Sequence, residues 1–165
     1  LEILIALIER VQPKAVLEFG INTGRTAKAI LEYVPGIERY VGIDVPMGYQ
    51  TEKVVQRNEV PVIAGEEVLD DARVHLIVRE GGSQSVGVGE LPMVDAVFID
   101  GDHSRSGVEN DTRLALLRVR PGGIIIWHDY HDLGTVDVRD VLDELFTAGW
   151  DLHHVKDTWL VYRMF

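Results

Sequence analysis

The sequence contains no cysteine. A disulfide framework, a thiolate nucleophile and a thiolate metal site are therefore excluded. Positive charge is scarce: 16 Lys and Arg stand against 27 Asp and Glu, a formal net charge of −11. With no basic stripe along the chain, that balance argues against a partner gripped through its phosphate backbone, so no nucleic acid is expected. Long hydrophobic runs are missing too, and none approaches the roughly 20 residues that cross a bilayer. The opening LEILIALIER is apolar but carries Glu2 and Glu9. It reads as a helix with a core-facing stripe, not as a signal peptide. No membrane association is expected, and the expected location is cytoplasmic. Low-complexity segments, internal repeats and linkers are also lacking, so residues 1–165 read as one domain.

What remains is a regular alternation of apolar runs and helical patterns. Residues 2–11 are predicted helical, with Ile3, Leu7 and Val11 on one face and Pro13 as the stop. Strands are predicted at 15–20, 40–44, 74–78, 94–100 and 124–127. Helices are predicted at 25–33, 104–119 and 137–148. Ala27, Ile30, Leu31 and Val34 would form the buried stripe of the second helix, with Thr23 as its cap. Val108, Ala115, Leu116 and Val119 would face inward from the helix at 104–119, and Pro121-Gly122-Gly123 would break it. Trp127 and Trp159 read as core, and Asp111 as a surface residue. Residues 46–72 carry no clear pattern: 50–58 fit a helix or a loop, and 66–72 a short helix. Residues 85–91 give a weak helix at best. The strands at 152–155 and 159–164 have no helix between them and must pair antiparallel. Near-continuous apolar strands alternating with helices imply a Rossmann-like, doubly wound α/β fold. The expected sheet has seven strands, mostly parallel, with a terminal antiparallel pair and helices on both faces.

The stretch VLEFGINTG, Val16 to Gly24, joins the first strand to a helix through a glycine turn. Gly20 and Gly24 allow a sharp turn and close approach of a ligand, and the helix start offers free N–H groups. A dinucleotide fingerprint would carry G-x-G-x-x-G, but Asn22 stands at its middle glycine. Glu18 adds a carboxylate two residues before the turn. That charge would repel a pyrophosphate and attract a cation, which disfavours a nicotinamide-dependent oxidoreductase and favours S-adenosylmethionine. Asp44 ends the second strand 24 residues after Gly20, about where an acid takes ribose hydroxyls in such sheets. Ligands sit beyond the carboxyl ends of the strands in this architecture. The other strand ends carry Ser83 and Gln84, then Asp100, Asp102 and His103, then His128, Asp129, His131 and Asp132.

Taken in order, VLEFGINTGRTA, YVGID, GGSQS, VDAVFIDGDH and GGIIIWHDY resemble the five motifs of class I S-adenosylmethionine-dependent methyltransferases. The pairing of DGDHS with HDY is similar to the small-molecule group akin to catechol O-methyltransferase. The resemblance implies methyl transfer to a hydroxyl of a small molecule. It places Glu18, Gly20, Asn22, Thr23 and Gly24 around the methionine moiety and the first turn. Asp44 would hold the ribose, and Gly82, Ser83 and Gln84 would meet the adenine. Asp100 would lie between cofactor and substrate. A module that binds the cofactor without transferase activity is the alternative.

In metal-dependent relatives, the acid at the position of Asp100 and two residues at the next strand end, here His128 and Asp129, bind a divalent cation. Mg²⁺ or Mn²⁺ is the implied ion. His128 departs from the carboxylate of catechol O-methyltransferase, and an imidazole shifts preference toward Mn²⁺ and other transition metals. The implied catalytic residues are His103, Asp102 and Asp100. His103, with a pKa near neutral, would take the acceptor's proton without a metal; a cation would instead lower the pKa of the acceptor hydroxyl. His131 and Asp132 would belong to a substrate loop. A homodimer is compatible with the short connections, which leave little room for a substrate-binding insertion.

Overall fold

A computed structural model describes residues 1–49, 60–133 and 136–165. The uncertain stretch at 50–58 lies outside them. Helix α1 (Glu2–Glu9) precedes strand β1 (Ala15–Phe19), helix α2 (Arg25–Tyr33) and strand β2 (Arg39–Asp44). Strand β3 (Val74–Val78) and strand β4 (Val94–Ile99) follow, then helix α3 (Arg105–Arg118) and strand β5 (Val119–Trp127). Helix α4 (Val138–Thr147) leads to strands β6 (His153–His154) and β7 (Val161–Met164).

The sheet has seven strands in the order β3-β2-β1-β4-β5-β7-β6. The pairs among β1 to β5 are parallel, and β7 runs antiparallel to both β5 and β6. The chain winds outward from β1 to β3, returns to the middle at β4 and winds the other way. That reversal opens a crevice at the carboxyl ends of β1 and β4. One side of the sheet packs Leu4, Ile8, Ala27, Ile30 and Leu31 from α1 and α2; the other packs Val108, Leu114, Ala115, Val141 and Leu142 from α3 and α4. The central strands are apolar because both faces are covered.

Register puts the strand ends level. Phe19 pairs with both Ile43 and Ile99, Ile43 with Ile77, and Ile99 with Trp127. The residues that follow, Gly20, Asp44, Asp100 and His128, therefore emerge side by side from one edge of the sheet.

Several local expectations change. In α1 the buried residues are Leu4 and Ile8, while Ile3 is exposed, because the short helix meets the core along a single i, i+4 line. Helix α2 has Gly24 as its N-cap residue and no side-chain cap from Thr23. Instead Asn22 bends back, its Oδ1 accepting the N–H of Thr23 at 2.7 Å. The expected helix at 66–72 is a 3₁₀ turn, Glu66–Val68, and the segment 85–91 holds only the end of one 3₁₀ turn and a second, Val88–Glu90. Helix α3 ends at Arg118, before Pro121-Gly122-Gly123, and Val119, expected on its inner face, instead opens β5, which contains the Pro-Gly-Gly segment. The ladder passes from Val94↔Val119 to Ala96↔Ile124, so the Pro-Gly-Gly segment forms a bulge. Among the described residues no helix is long and apolar enough to cross a membrane.

Candidate active site

A cleft of about 310 Å³ opens at the carboxyl ends of the strands. This lies at the small end of the range for ligand pockets. Its walls include Gly20, Asn22, Asp44, Gly82, Ser83 and Gln84 on one side and Asp100, Asp102, His103, His128 and Asp129 on the other. Most of the site residues expected from sequence thus share one cavity. Glu18, Thr23 and Gly24 stand outside its wall.

The glycine turn explains part of this. Gly20 has φ +82°, and a Cβ there would fall 2.1 Å from the carbonyl oxygen of Asp100. The missing side chain lets the end of β1 pass against the end of β4. Gly24 serves packing as well: a Cβ on it would meet Val68 Cγ2 at 2.8 Å. Residues of the illegible segment therefore cover the outside of the turn. Gly65 and Glu67 donate their N–H groups to the carbonyls of Asn22 and Thr23.

Glu18 is 1% exposed, and its Oε2 accepts the Tyr40 hydroxyl at 2.8 Å. Burial pushes its pKa well up, with the charges of Asp100 and Asp44 adding to the rise and the Tyr40 bond opposing it. Asp44 is fixed by two backbone donors, Asn22 N–H to Oδ2 at 2.6 Å and Val45 N–H to Oδ1 at 2.7 Å. Burial raises its pKa and these two bonds pull it back. One lone pair on each oxygen remains for a diol.

On the far side, Asp129 collects three imidazoles. Its carboxylate lies 2.8 Å from His103 Nε2, 3.2 Å from His128 Nδ1 and 3.6 Å from His131 Nε2. Asp100 Oδ1 is 3.2 Å from His128 Nδ1 and 3.8 Å from His103 Nε2. Asp129 adopts φ +58°, a left-handed conformation for a residue with a side chain. Burial lowers the pKa of His103 and of His128, but the two carboxylates outweigh it and hold each at about 10. Asp129 is correspondingly lowered by the two imidazoles, against the effect of its burial. Without a cation, the two carboxylates thus favour the protonated form of His103. Asp102 is exposed, and its Oδ1 accepts the Ser104 N–H at 2.9 Å at the start of α3.

The donor set fits a divalent cation. His103 Nε2 and His128 Nδ1 are buried and face carboxylate oxygens at close range, yet neither makes an aligned hydrogen bond. Ligand atoms of Asp100, His103 and Asp129 all lie within 4.8 Å of one another. Two imidazolium protons, or one cation in their place, would balance the two carboxylates. That group of three holds His103 where His128 was expected; His128 Nδ1 stands beside it, 3.2 Å from Asp100 Oδ1 and from Asp129 Oδ2.

Two residues were misplaced by sequence. Asp111 is 1% exposed and lines the cleft, where its Oδ1 accepts the Ser83 hydroxyl. Its helix packs against the 3₁₀ turn Gly82–Ser85, so a position that faces solvent on an isolated helix is covered. Trp159 is 45% exposed at the cleft's mouth, its ring edge against His131 and His128. Trp127 is core as expected, with Nε1–H donated to Thr112 Oγ1 at 2.9 Å.

The sequence also matches the methyltransferase domain family over residues 17–130, from β1 to the residue after Asp129. The chain belongs to that family. It is a class I S-adenosylmethionine-dependent methyltransferase. Solved structures with the same fold include the O-methyltransferase NovP, 18% identical, with 99% of this chain and 78% of that one covered and a TM-score of 0.70. The O-methyltransferase TomG from Streptomyces achromogenes, involved in tomaymycin synthesis and solved with S-adenosylmethionine, is 16% identical over 99% of this chain and 78% of its own, with a TM-score of 0.66. An O-methyltransferase from Bacillus cereus, solved with S-adenosylhomocysteine, is 15% identical over 99% and 80%, with a TM-score of 0.64. No curated protein sequence matches this methyltransferase at a significant level. At these identities the structural likeness speaks to fold; family membership carries the activity and displaces both the nicotinamide reading and the inactive-module reading.

Proposed function

We propose that this methyltransferase transfers the methyl group to a hydroxyl of a small molecule, with a divalent cation held by Asp100, His128 and Asp129 and joined by His103. The observation that carries this reading is the pair of carboxylates, Asp100 and Asp129, facing two buried and unaligned imidazole nitrogens on the same cleft as Asp44 and Ser83. In this reading Asp44 holds the ribose hydroxyls. Gly82, Ser83 and Gln84 border the adenine. Gly20 and Asn22 border the methionine end, with Thr23 and Gly24 supporting the turn from behind. Glu18 lies beneath the wall, bonded to the Tyr40 hydroxyl, and its burial works against the charge that would attract the donor's cation.

A cation at this set would supply a Lewis acid that orients the acceptor hydroxyl and lowers its pKa. The chain's own residues supply the rest. Trp159, with His131 packed against its ring, borders the mouth and restricts which acceptors enter. Asp100 sits between the cofactor side and the imidazole side, so it governs the line along which acceptor and methyl group meet. The small cleft suits a compact acceptor, and the net charge of −11 disfavours a nucleic-acid one.

The test combines binding with turnover. Titration calorimetry with S-adenosylhomocysteine should give saturable heat for the wild type and for Asp100→Ala and His103→Ala. Methyl transfer from labelled S-adenosylmethionine to a panel of phenols, catechols and sugars should disappear in both variants. Retained turnover in Asp100→Ala would overturn the assignment of the far wall, and transfer only to amines would overturn the hydroxyl acceptor.

A further inference from the structure

Asp111 occupies the cleft wall between the turn after β3 and the end of β4, and no step above uses it. Its Oδ1 accepts the Ser83 hydroxyl and lies 3.4 Å from Asn110 Nδ2. Asn110 Nδ2 also donates to Ser83 Oγ at 3.1 Å, so three side chains close on one another. Oδ2 points the other way, over Gly101, where a Cβ would stand only 3.0 Å from it. Among the described residues no donor reaches Oδ2, although the side chain is 1% exposed. Unlike the sealed nitrogens of His103 and His128, Oδ2 keeps access to the cleft that Asp111 lines, so an occupant there can supply the donor it lacks. Burial raises this carboxyl to about 7, against the bonds from Ser83 and Asn110, as expected for a group lacking compensation on one side.

We infer that Asp111 reads the nucleobase of the methyl donor: Oδ2 accepts the exocyclic amine of adenine while Oδ1 locks Ser83 in the wall beside it. The inference rests on the placement of adenine next to Ser83 and Gln84 proposed above. It adds a base-specific contact from α3, an element outside the glycine turns. The amine suits the site because it is a neutral donor on a flat group, and the wall here is narrow enough to require Gly101 and Gly82. The donor's ammonium group would lie instead toward Gly20, on the methionine side.

The test swaps the hydrogen-bonding sense of the base. At about pH 8.5, where Asp111 is ionised, wild-type protein is titrated with S-adenosylhomocysteine and with S-inosylhomocysteine, whose 6-oxo group accepts where the amine donates. The wild type should prefer the adenosyl compound by roughly tenfold or more, since an acceptor facing an acceptor leaves both unsatisfied. In Asp111→Asn, Ser83 and Asn110 both present donors to Oδ1, so the amide oxygen stays there and the NH₂ turns to the cleft. That variant should lose or invert the preference, while its melting temperature shows that the fold is retained. An unchanged ratio in a folded Asp111→Asn overturns the inference. Should that variant fail to fold, equal affinity of the wild type for the two compounds overturns it, and a wild-type preference for the amine supports it. Failure of the wild type to bind either compound would refute the cofactor placement itself, a result separable from the behaviour of the variant.

Discussion

At the scale of single residues, burial and charge make sharply different demands on three carboxyls of one cleft. Asp44 satisfies each oxygen with a backbone N–H and stays available to a diol. Asp129 is held ionised by imidazoles. Burial pushes Asp111 up to about 7, so Oδ2 is a full acceptor only above that pH. Linkage gives Asp111 a sign. Its folded pKa of about 7 lies above the reference 3.8, so the native state binds its proton more tightly. Its contribution to stability is complete below about 3.8 and is lost as pH rises toward 7. Thermal melts from pH 4 to 8 should therefore show the wild type losing ground to Asp111→Asn as pH increases; a constant difference would contradict the burial argument. Gly20 gives a second prediction. A Cβ 2.1 Å from a backbone oxygen has no room to relax, so Gly20→Ala should cost roughly 4 kcal/mol or more and abolish cofactor binding. Denaturant titration measures the cost.

At the scale of elements, the site depends on helices meeting strand ends at the right height. Helix α3 is the clearest case. Thr112 anchors it to β5 through buried Trp127, Asp111 anchors it to the turn after β3, and Ser104 caps its start by accepting the N–H of Gly107. Asp137, at the start of α4, accepts the N–H of Arg105, and its own N–H bonds the carbonyl of His103, so α4 also fixes the His103 loop. Removing the acceptor in Thr112→Val should leave the Trp127 N–H buried and unpaired. The expected cost is about 2 kcal/mol, read as a fall in Tm of about 6 °C for a chain of this size. Because α3 carries Asp111 but not the carboxylate–imidazole cluster, the same variant should weaken binding of S-adenosylhomocysteine more than binding of Mn²⁺.

At the scale of the whole molecule, the cleft joins a half that suits a nucleoside to a half that suits a cation, and each makes a prediction in solution. A ligand that binds only the native state at about 100 times its Kd stabilises by roughly 2.7 kcal/mol. Saturating S-adenosylhomocysteine should therefore raise Tm by several degrees, and dialysis should reverse the shift. The cation half has the opposite pH sense to Asp111→Asn as a probe. His103 and His128 titrate at about 10 in the metal-free protein, so a cation must displace their protons. Mn²⁺ affinity should rise with pH between 6 and 8, and calorimetry in buffers of different ionisation enthalpy should register proton release. Binding independent of pH would mean that the imidazoles are not ligands.

The sequence alone determined the succession of elements, the parallel core and the closing antiparallel pair, because apolar runs with period and punctuation reflect local preference and burial on both faces. It also marked Gly20, Asp44, Ser83, Asp100 and Asp129, since each sits at a strand end and strand ends share one edge in such a sheet. Only the tertiary structure decided which of these residues face the cleft. Glu18 turned inward to Tyr40, Gly24 turned out to pack against Val68, and Asp111 was buried by the turn that docks on its helix. The physical reason is that a residue's side is set by period, but its neighbour is set by packing between segments far apart in the chain. The setting of His103 follows the same rule: only the fold brings Asp100 and Asp129 to it from the ends of two strands.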